Sequence, residues 1–308
     1  AFSWTEAGGI VGLPNIASPA RNYCYGNGVN DSGVVVGTGA TTFFGSSRIP
    51  LVWQGGAVSQ LPLPAGQTIG DAWDINNSGV AVGSANSGSL QRGVIYSGGT
   101  GSFITQTTST GCYIVTAYGI NNSGRVVGIA WDPANAARNV GYVLDTATNS
   151  AFEVGALPGM NGAIAFGVSN AGHVVGSSSL NQASGMPFIW NDADGIKAIP
   201  LPVGTTQGSA RAVNSSGWAV GTASSAFAIP FLYDGQDTHR LADLIPSGTG
   251  WDLSTNTSSS ALGISENGII VGSGVFNGAV HAYAMIPVPE PMSLVLMALA
   301  AAALPRRR

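Results

Sequence analysis

Charge is what this chain of 308 residues has least of. Charged side chains make up 8% of it, against about 25% in an ordinary soluble domain. The net charge is −4, and the basic residues are scattered apart from the last three. No basic face exists to hold phosphates, so a nucleic-acid partner is not expected. Cysteine is scarce as well. Cys24 and Cys112 do not stand at equivalent places, and a disulfide between them or two separate, half-buried thiols both fit the sequence. There is no metal-ligand cluster, no glycine-rich phosphate loop after a strand and no serine nucleophile elbow. No Asp-x-Asp-x-Asp-Gly calcium loop occurs either, so no cofactor is expected. The chain opens Ala1-Phe2-Ser3-Trp4, with neither an initiator Met nor an apolar leader. Given the tail described below, a processed chain or a fragment of a longer exported protein is expected.

What is abundant is glycine, 45 residues, roughly twice the usual share. Hydrophobic residues are 44%, and Ser, Thr and Asn fill the solvated positions. This is the composition of a turn-rich, all-β chain. Six segments align: Gly28–Gly37, Asp74–Gly83, Gly119–Gly128, Gly167–Gly176, Ala212–Gly221 and Gly263–Gly272. Their turn glycines (33, 79, 124, 172, 217 and 268) recur every 45 to 51 residues. In each, a short apolar strand reaches Asn or Ser and a polar turn follows. A Gly suited to positive φ then starts a second apolar strand, a β-hairpin signature. The closing Gly of each segment is expected where backbones crowd. Between hairpins lie an aromatic strand, as at Pro50-Leu51-Val52-Trp53, and a strand ending in Leu-Pro or Ile-Pro. Four short strands per unit of about 46 residues predict a β-propeller blade, ahead of a β-solenoid. The aromatic strand occurs seven times and the others six. Six complete repeats plus one strand of a seventh, at His281–Met285, therefore predict a seven-bladed ring completed by strands upstream of Ala1. A closed six-bladed ring is the alternative.

After Ile286 the composition changes, which divides the chain into repeats at 1–286 and a tail at 287–308. The tail runs from a Pro-rich motif through an apolar segment, Ser293–Leu304, expected as a short helix, to Arg306-Arg307-Arg308. The segment is short for a membrane span, and the arginines would hold its end in the cytoplasm.

The repeats resemble the bacterial extracellular HAF family, named for a His-Ala-Phe run. Val280-His281-Ala282-Tyr283 comes closest, and Ile120–Gly128 fits well. The resemblance implies an exported protein and no particular chemistry. The tail resembles the PEP-CTERM sorting signal of Gram-negative bacteria, through Val288, Pro289, Glu290 and Pro291, the apolar segment, and Arg306, Arg307 and Arg308. That resemblance implies transient inner-membrane insertion, then recognition and removal of the tail by an exosortase-type transpeptidase, in species that make extracellular polysaccharide. A plain C-terminal membrane anchor is the alternative.

Catalytic candidates are few. His173 follows a turn Gly, His281 lies on an aromatic strand, and His239 could pair with Asp237. The carboxylate pairs Asp71/Asp74, Asp192/Asp194 and Asp234/Asp237 could serve glycoside cleavage, but Asp in such turns commonly bonds its own backbone. Among seven tryptophans, Trp4, Trp53 and Trp190 hold the repeated aromatic position and are expected in the core. Trp73, Trp131, Trp218 and Trp251 break the pattern. They are candidates for stacking on sugars or for a protein interface, with packing between blades as the alternative. The expectation is an exported, non-enzymatic surface or matrix module that binds or scaffolds exopolysaccharide or surface proteins, as in a biofilm. A structural adhesin or coat component without a small ligand is the alternative. A propeller enzyme that degrades polysaccharide is the third reading.

Overall fold

A computed structural model describes residues 1–288 apart from 44, 46, 88, 89 and 183. The expected C-terminal helix, and Pro289, Glu290, Pro291 and the three terminal arginines, lie outside the described residues; Val288 is exposed. The fold is an all-β propeller. A two-stranded sheet, β1 (Phe2–Thr5) and β2 (Gly9–Gly12), leads into six four-stranded ones. Blade 1 comprises β3 (Tyr23–Val29), β4 (Val35–Ala40), β5 (Ile49–Gln54) and β6 (Ala57–Gln60). Blade 2 comprises β7 (Gly70–Ile75), β8 (Ala81–Ser87), β9 (Leu90–Ser97) and β10 (Thr100–Phe103). Blade 3 comprises β11 (Tyr113–Ile120), β12 (Arg125–Trp131), β13 (Asn139–Asp145) and β14 (Ser150–Glu153). Blade 4 comprises β15 (Gly162–Val168), β16 (Val174–Ser179), β17 (Met186–Asn191) and β18 (Gly195–Ala198). Blade 5 comprises β19 (Gln207–Val213), β20 (Ala219–Ser224), β21 (Ala228–Tyr233) and β22 (Thr238–Arg240). In blade 6, β23 (Trp251–Asp252) and β24 (Ser260–Ile264) pair along one side of β25 (Ile270–Phe276), and β26 (Ala279–Met285) pairs along the other.

The strand at His281–Met285 is therefore part of the sixth blade and not the start of a seventh. Blades 1 to 5 begin at the repeated hairpin and have the aromatic strand third; in blade 6 the short β23 precedes the hairpin. In the pairing register Tyr283 stands opposite Gly272, as Leu51 stands opposite Gly37.

First strands of successive blades lie against one another, so they surround the axis. Each carries a β-bulge at the same place. The register skips Asn27, Trp73, Tyr118, Phe166, Arg211 and Leu262. A bulge turns its extra residue out of the ladder. It also forces a backbone carbonyl over the partner strand, which explains the closing glycines. A Cβ added at Gly37, Gly83, Gly128, Gly176, Gly221 or Gly272 would lie 1.8–2.0 Å from a carbonyl oxygen of the first strand.

The Asn-turn is a second device. The turn glycines have φ of +74° to +89°, as their type requires. The Oδ1 of Asn121 accepts from the backbone N–H groups of Ser123 (3.1 Å) and Arg125 (2.8 Å). Its Nδ2 donates to the carbonyl of Ser169 in the next blade at 2.9 Å. Asn30, Asn76 and Asn214 repeat both contacts. The following residue forms a parallel rail. The backbone N–H groups of Asp31, Asn77 and Asn122 donate to the side-chain oxygens of Asn77, Asn122 and Asn170. At Ser169 the side chain only caps its own turn, accepting from His173 N–H. Glu266 bridges that break, accepting from Asn170 Nδ2 and from the backbone N–H of Ser215.

The core lies between blades. Val36 packs on Ala72, Val94 and Tyr96 of the next blade, and Val82 on Ile114 and Tyr142. Val127, Val175 and Val220 continue the series. Each such valine stabilises its seam by roughly 1.5–3 kcal/mol. Trp53 and Trp190 are core residues as expected, whereas Trp4 is 39% exposed, because no inner strand pairs with β1. Cys24 and Cys112 are separate, buried thiols in different clusters.

Candidate ligand site at the propeller axis

The bulge residues form a belt. The rings of Trp73 and Tyr118 meet edge to face at 5.4 Å, and Tyr118 and Phe166 are also 5.4 Å apart. The Arg211 guanidinium stacks over Phe166 at 4.1 Å. Edge-to-face rings and a cation over a ring are favourable arrangements. Desolvation pulls the Arg211 pKa down, with Tyr118 opposing, and burial pushes the Tyr118 hydroxyl up. The Trp73 indole N–H is buried without a hydrogen-bond partner.

Beside Phe166, between the first two strands of blade 4 and those of blade 5, lies an open cavity of about 320 Å³ that reaches Asn139 of blade 3. Ile164 and Phe166 form its apolar part. Ser177, Ser179, Ser209, Thr222 and Ser224 supply hydroxyls, and Asn139, Gln182 and Gln207 supply amides. Its lining contains no ionisable side chain. Ser177 Oγ donates to the carbonyl of Gly208 and Gln207 Nε2 to Ser224 Oγ, so part of this surface is already ordered.

The four off-pattern tryptophans do not converge. Trp73 belongs to the belt. Trp131 is 41% exposed and register-paired with Asn139, a cavity residue. Trp218 is half-exposed at its hairpin turn and faces Gly268. Trp251 is held inside blade 6 by Phe276 (5.0 Å), Tyr283 (5.9 Å) and His281 (6.5 Å). Tyr118, Phe166 and Arg211 carry the site and were not singled out from the sequence. Their signal is the residue just before each of the six aligned segments, which start at Gly28, Asp74, Gly119, Gly167, Ala212 and Gly263, a column that is aromatic in three repeats.

The carboxylate candidates are structural. His239 pairs with Asp234 at 2.8 Å and not with Asp237, because Asp234 caps the turn that His239 leaves. Asp192 pairs with Arg125, and Asp194 with Lys197. His173 caps its turn, and His281 packs on Trp251. Arg138 bridges Asp132 and Glu153. Among the described residues no group of three or more potential metal ligands occurs.

Asp71 and Asp74 share strand β7 but not a task. Asp71 pairs with Arg48 at 3.2 Å and accepts from the hydroxyls of Thr38 and Ser84; burial outweighs these and raises its pKa. Asp74 stands where other repeats have Gly or Ala. It accepts the Ile120 N–H of blade 3 at 2.9 Å. Desolvation pushes its pKa up to about 6. Between the ordinary carboxylate range near 4 and that value, the folded chain holds a proton that the unfolded chain has released. Stability therefore falls as pH rises through this window. Asp234 and Asp252, both pulled down to about 2, gain their full effect below it. Melting at pH 4.5 is expected several degrees above melting at pH 7, and Asp74→Asn is expected to flatten that slope.

No family model and no curated protein matches this chain. Among solved structures it is similar to a prolyl endopeptidase, with 11% identity and a TM-score of 0.51 over 92% of this chain and 46% of that one. The chain thus spans about half of that enzyme's length. It is also similar to the β-propeller domain of the Trilobed protease from Pyrococcus furiosus, with 11% identity and a TM-score of 0.48 over 88% and 83% of the two chains. The likeness to the endopeptidase supports the fold alone: four-stranded blades set around an axis.

Proposed function

We propose that this protein is an exported, non-catalytic binding and scaffold module of the cell surface or extracellular matrix, whose partner is exopolysaccharide. The tail resemblance supports transient membrane retention and handling by an exosortase-type enzyme. The observation that carries the binding role is the cavity beside Phe166. Saccharides present paired hydroxyls on their rims and apolar C–H faces. A pocket with convergent hydroxyls and amides, an aromatic side and no charge in its lining matches that chemistry. The rigid ring supports the site, so little ordering would be lost on binding.

Isothermal titration with the host's own exopolysaccharide and with neutral oligosaccharides tests this. Saturable binding is expected, weakened about tenfold by Gln207→Ala, a loss of roughly 1.4 kcal/mol. Trp131→Ala, beside the cavity, should weaken it less, and Trp218→Ala, at a distant turn, should leave it unchanged. Absence of saturable binding to every glycan would overturn the reading in favour of an adhesin or coat component.

A further inference from the structure

Arg211 is a cation that the ring leaves without an acid. Arg48 faces Asp71 at 3.2 Å, Arg125 faces Asp192 at 2.8 Å, and Arg138 bridges Asp132 and Glu153. Among the described residues no ion pair and no hydrogen bond engages the Arg211 guanidinium, which carries five N–H donors. The acids of the inner strands are already taken. Asp71 faces Arg48, Thr38 and Ser84, and the two oxygens of Asp74 accept the Ile75 and Ile120 N–H groups. Arg211 is exposed at the axis, although the strands on either side remove part of its hydration. Its place relative to the cavity is fixed from two directions. The guanidinium carbon lies 4.1 Å from the ring centre of Phe166, which lines the cavity. Gln207 and Ser209, which precede Arg211 on β19, line the cavity too. Two residues of strand advance roughly 6.6 Å, so the cation stands just beyond the neutral lining.

We propose, resting on the saccharide reading above, that Arg211 binds the carboxylate of an acidic sugar whose neutral neighbour occupies the cavity. The ligand class is then an acidic polysaccharide containing uronic-acid units. A guanidinium presents paired N–H donors in a fixed fork that matches the two oxygens of a carboxylate. It keeps its charge at every working pH. Partial removal of water strengthens its attraction for an anion. The division of labour follows from the lining: hydroxyls and amides meet the neutral ring, and the charge is read once, at Arg211. The chain's net charge is −4. A polyanion therefore gains nothing from the protein's general field, and its selection rests on this one contact.

Titration of the whole chain with the host's exopolysaccharide, before and after chemical reduction of its carboxylates to alcohols, tests this. Reduction is expected to weaken binding about tenfold. Arg211→Gln should abolish the difference between the two polymers. Arg211→Lys keeps the charge without the fork and should retain a difference of about threefold. Near-UV circular dichroism checks that both variants fold, and the comparison on the parent chain needs neither of them. Equal binding of the native and reduced polymers overturns the inference and leaves the saccharide reading standing. A difference that survives Arg211→Gln in full also overturns it, because another group then reads the carboxylate. No saturable binding of either polymer, or of neutral oligosaccharides, overturns both.

Discussion

Gly128→Ala is expected to lower the melting temperature by about 5 °C, through a loss of about 3 kcal/mol. The reason is local and steric. The bulge at Tyr118 places the Thr116 carbonyl oxygen 2.0 Å from where the new Cβ would sit, with Ala117 Cα and Ile114 Cδ1 each 3.0 Å away. Two of these three atoms belong to the backbone of the blade's innermost strand, which is pinned on both sides by neighbouring blades, so the strand cannot give way. The conformational gain that usually follows from removing a glycine is smaller, about 0.4–1 kcal/mol. Gly12→Ala is the control, because nothing lies within 4 Å of its added Cβ. Thermal melting of both variants, followed by near-UV circular dichroism, checks the argument. A Gly128→Ala protein that melts like the parent would mean that the bulge does not need the glycine.

Asn121→Ala should cost about 2–4 kcal/mol. Asn121 is 4% exposed. Its amide is shared between two blades, holding the turn through Oδ1 and the neighbouring Ser169 carbonyl through Nδ2. Removing it leaves buried backbone groups without partners, and each such group costs about 1–3 kcal/mol. Asn121→Asp separates the two roles. It keeps the oxygen that caps the turn but loses the donor and sets a carboxylate against the Ser169 carbonyl. Asn121→Asp is therefore expected to destabilise the protein nearly as much as the alanine change at pH 7, and less at pH 3. Asn122→Ala, on the exposed rail, should cost about 1 kcal/mol. Urea denaturation of the three variants ranks them. Equal effects at Asn121 and Asn122 would show that burial of the ladder contributes nothing.

These two positions also mark how far the sequence can be read. The recurrence of Asn, Gly and Val every 45 to 51 residues already identifies a hairpin, because a turn with positive φ and a period-two apolar strand leave a local imprint. Asn121 and Gly128 could be found in that way. Their reasons could not. That Asn121 Nδ2 bonds the next blade, and that Gly128 lies under a carbonyl, follows from a bulge and from ring packing, which join residues 12 to 48 positions apart. The blade boundary was displaced for a similar reason. An aromatic strand stands out by composition, whereas which strand begins a sheet depends on which one faces the axis.

The candidate site was legible only in part. Trp73 stood out as an off-pattern residue, but so did Trp218 and Trp251, which lie elsewhere. Tyr118, Phe166 and Arg211 pass for ordinary strand residues until the bulges turn them toward one another.

By itself the sequence determined the all-β class, the repeat of four short strands, the turn glycines and the crowding at each closing glycine, since all of these depend on contacts within one unit. Only the tertiary structure decided the order of strands within a blade, the partners of the Asn ladder, and the aromatic–arginine belt and its cavity. Each of those depends on side chains from different repeats meeting across an interface, and a period along the chain carries no record of the angle at which one unit meets the next.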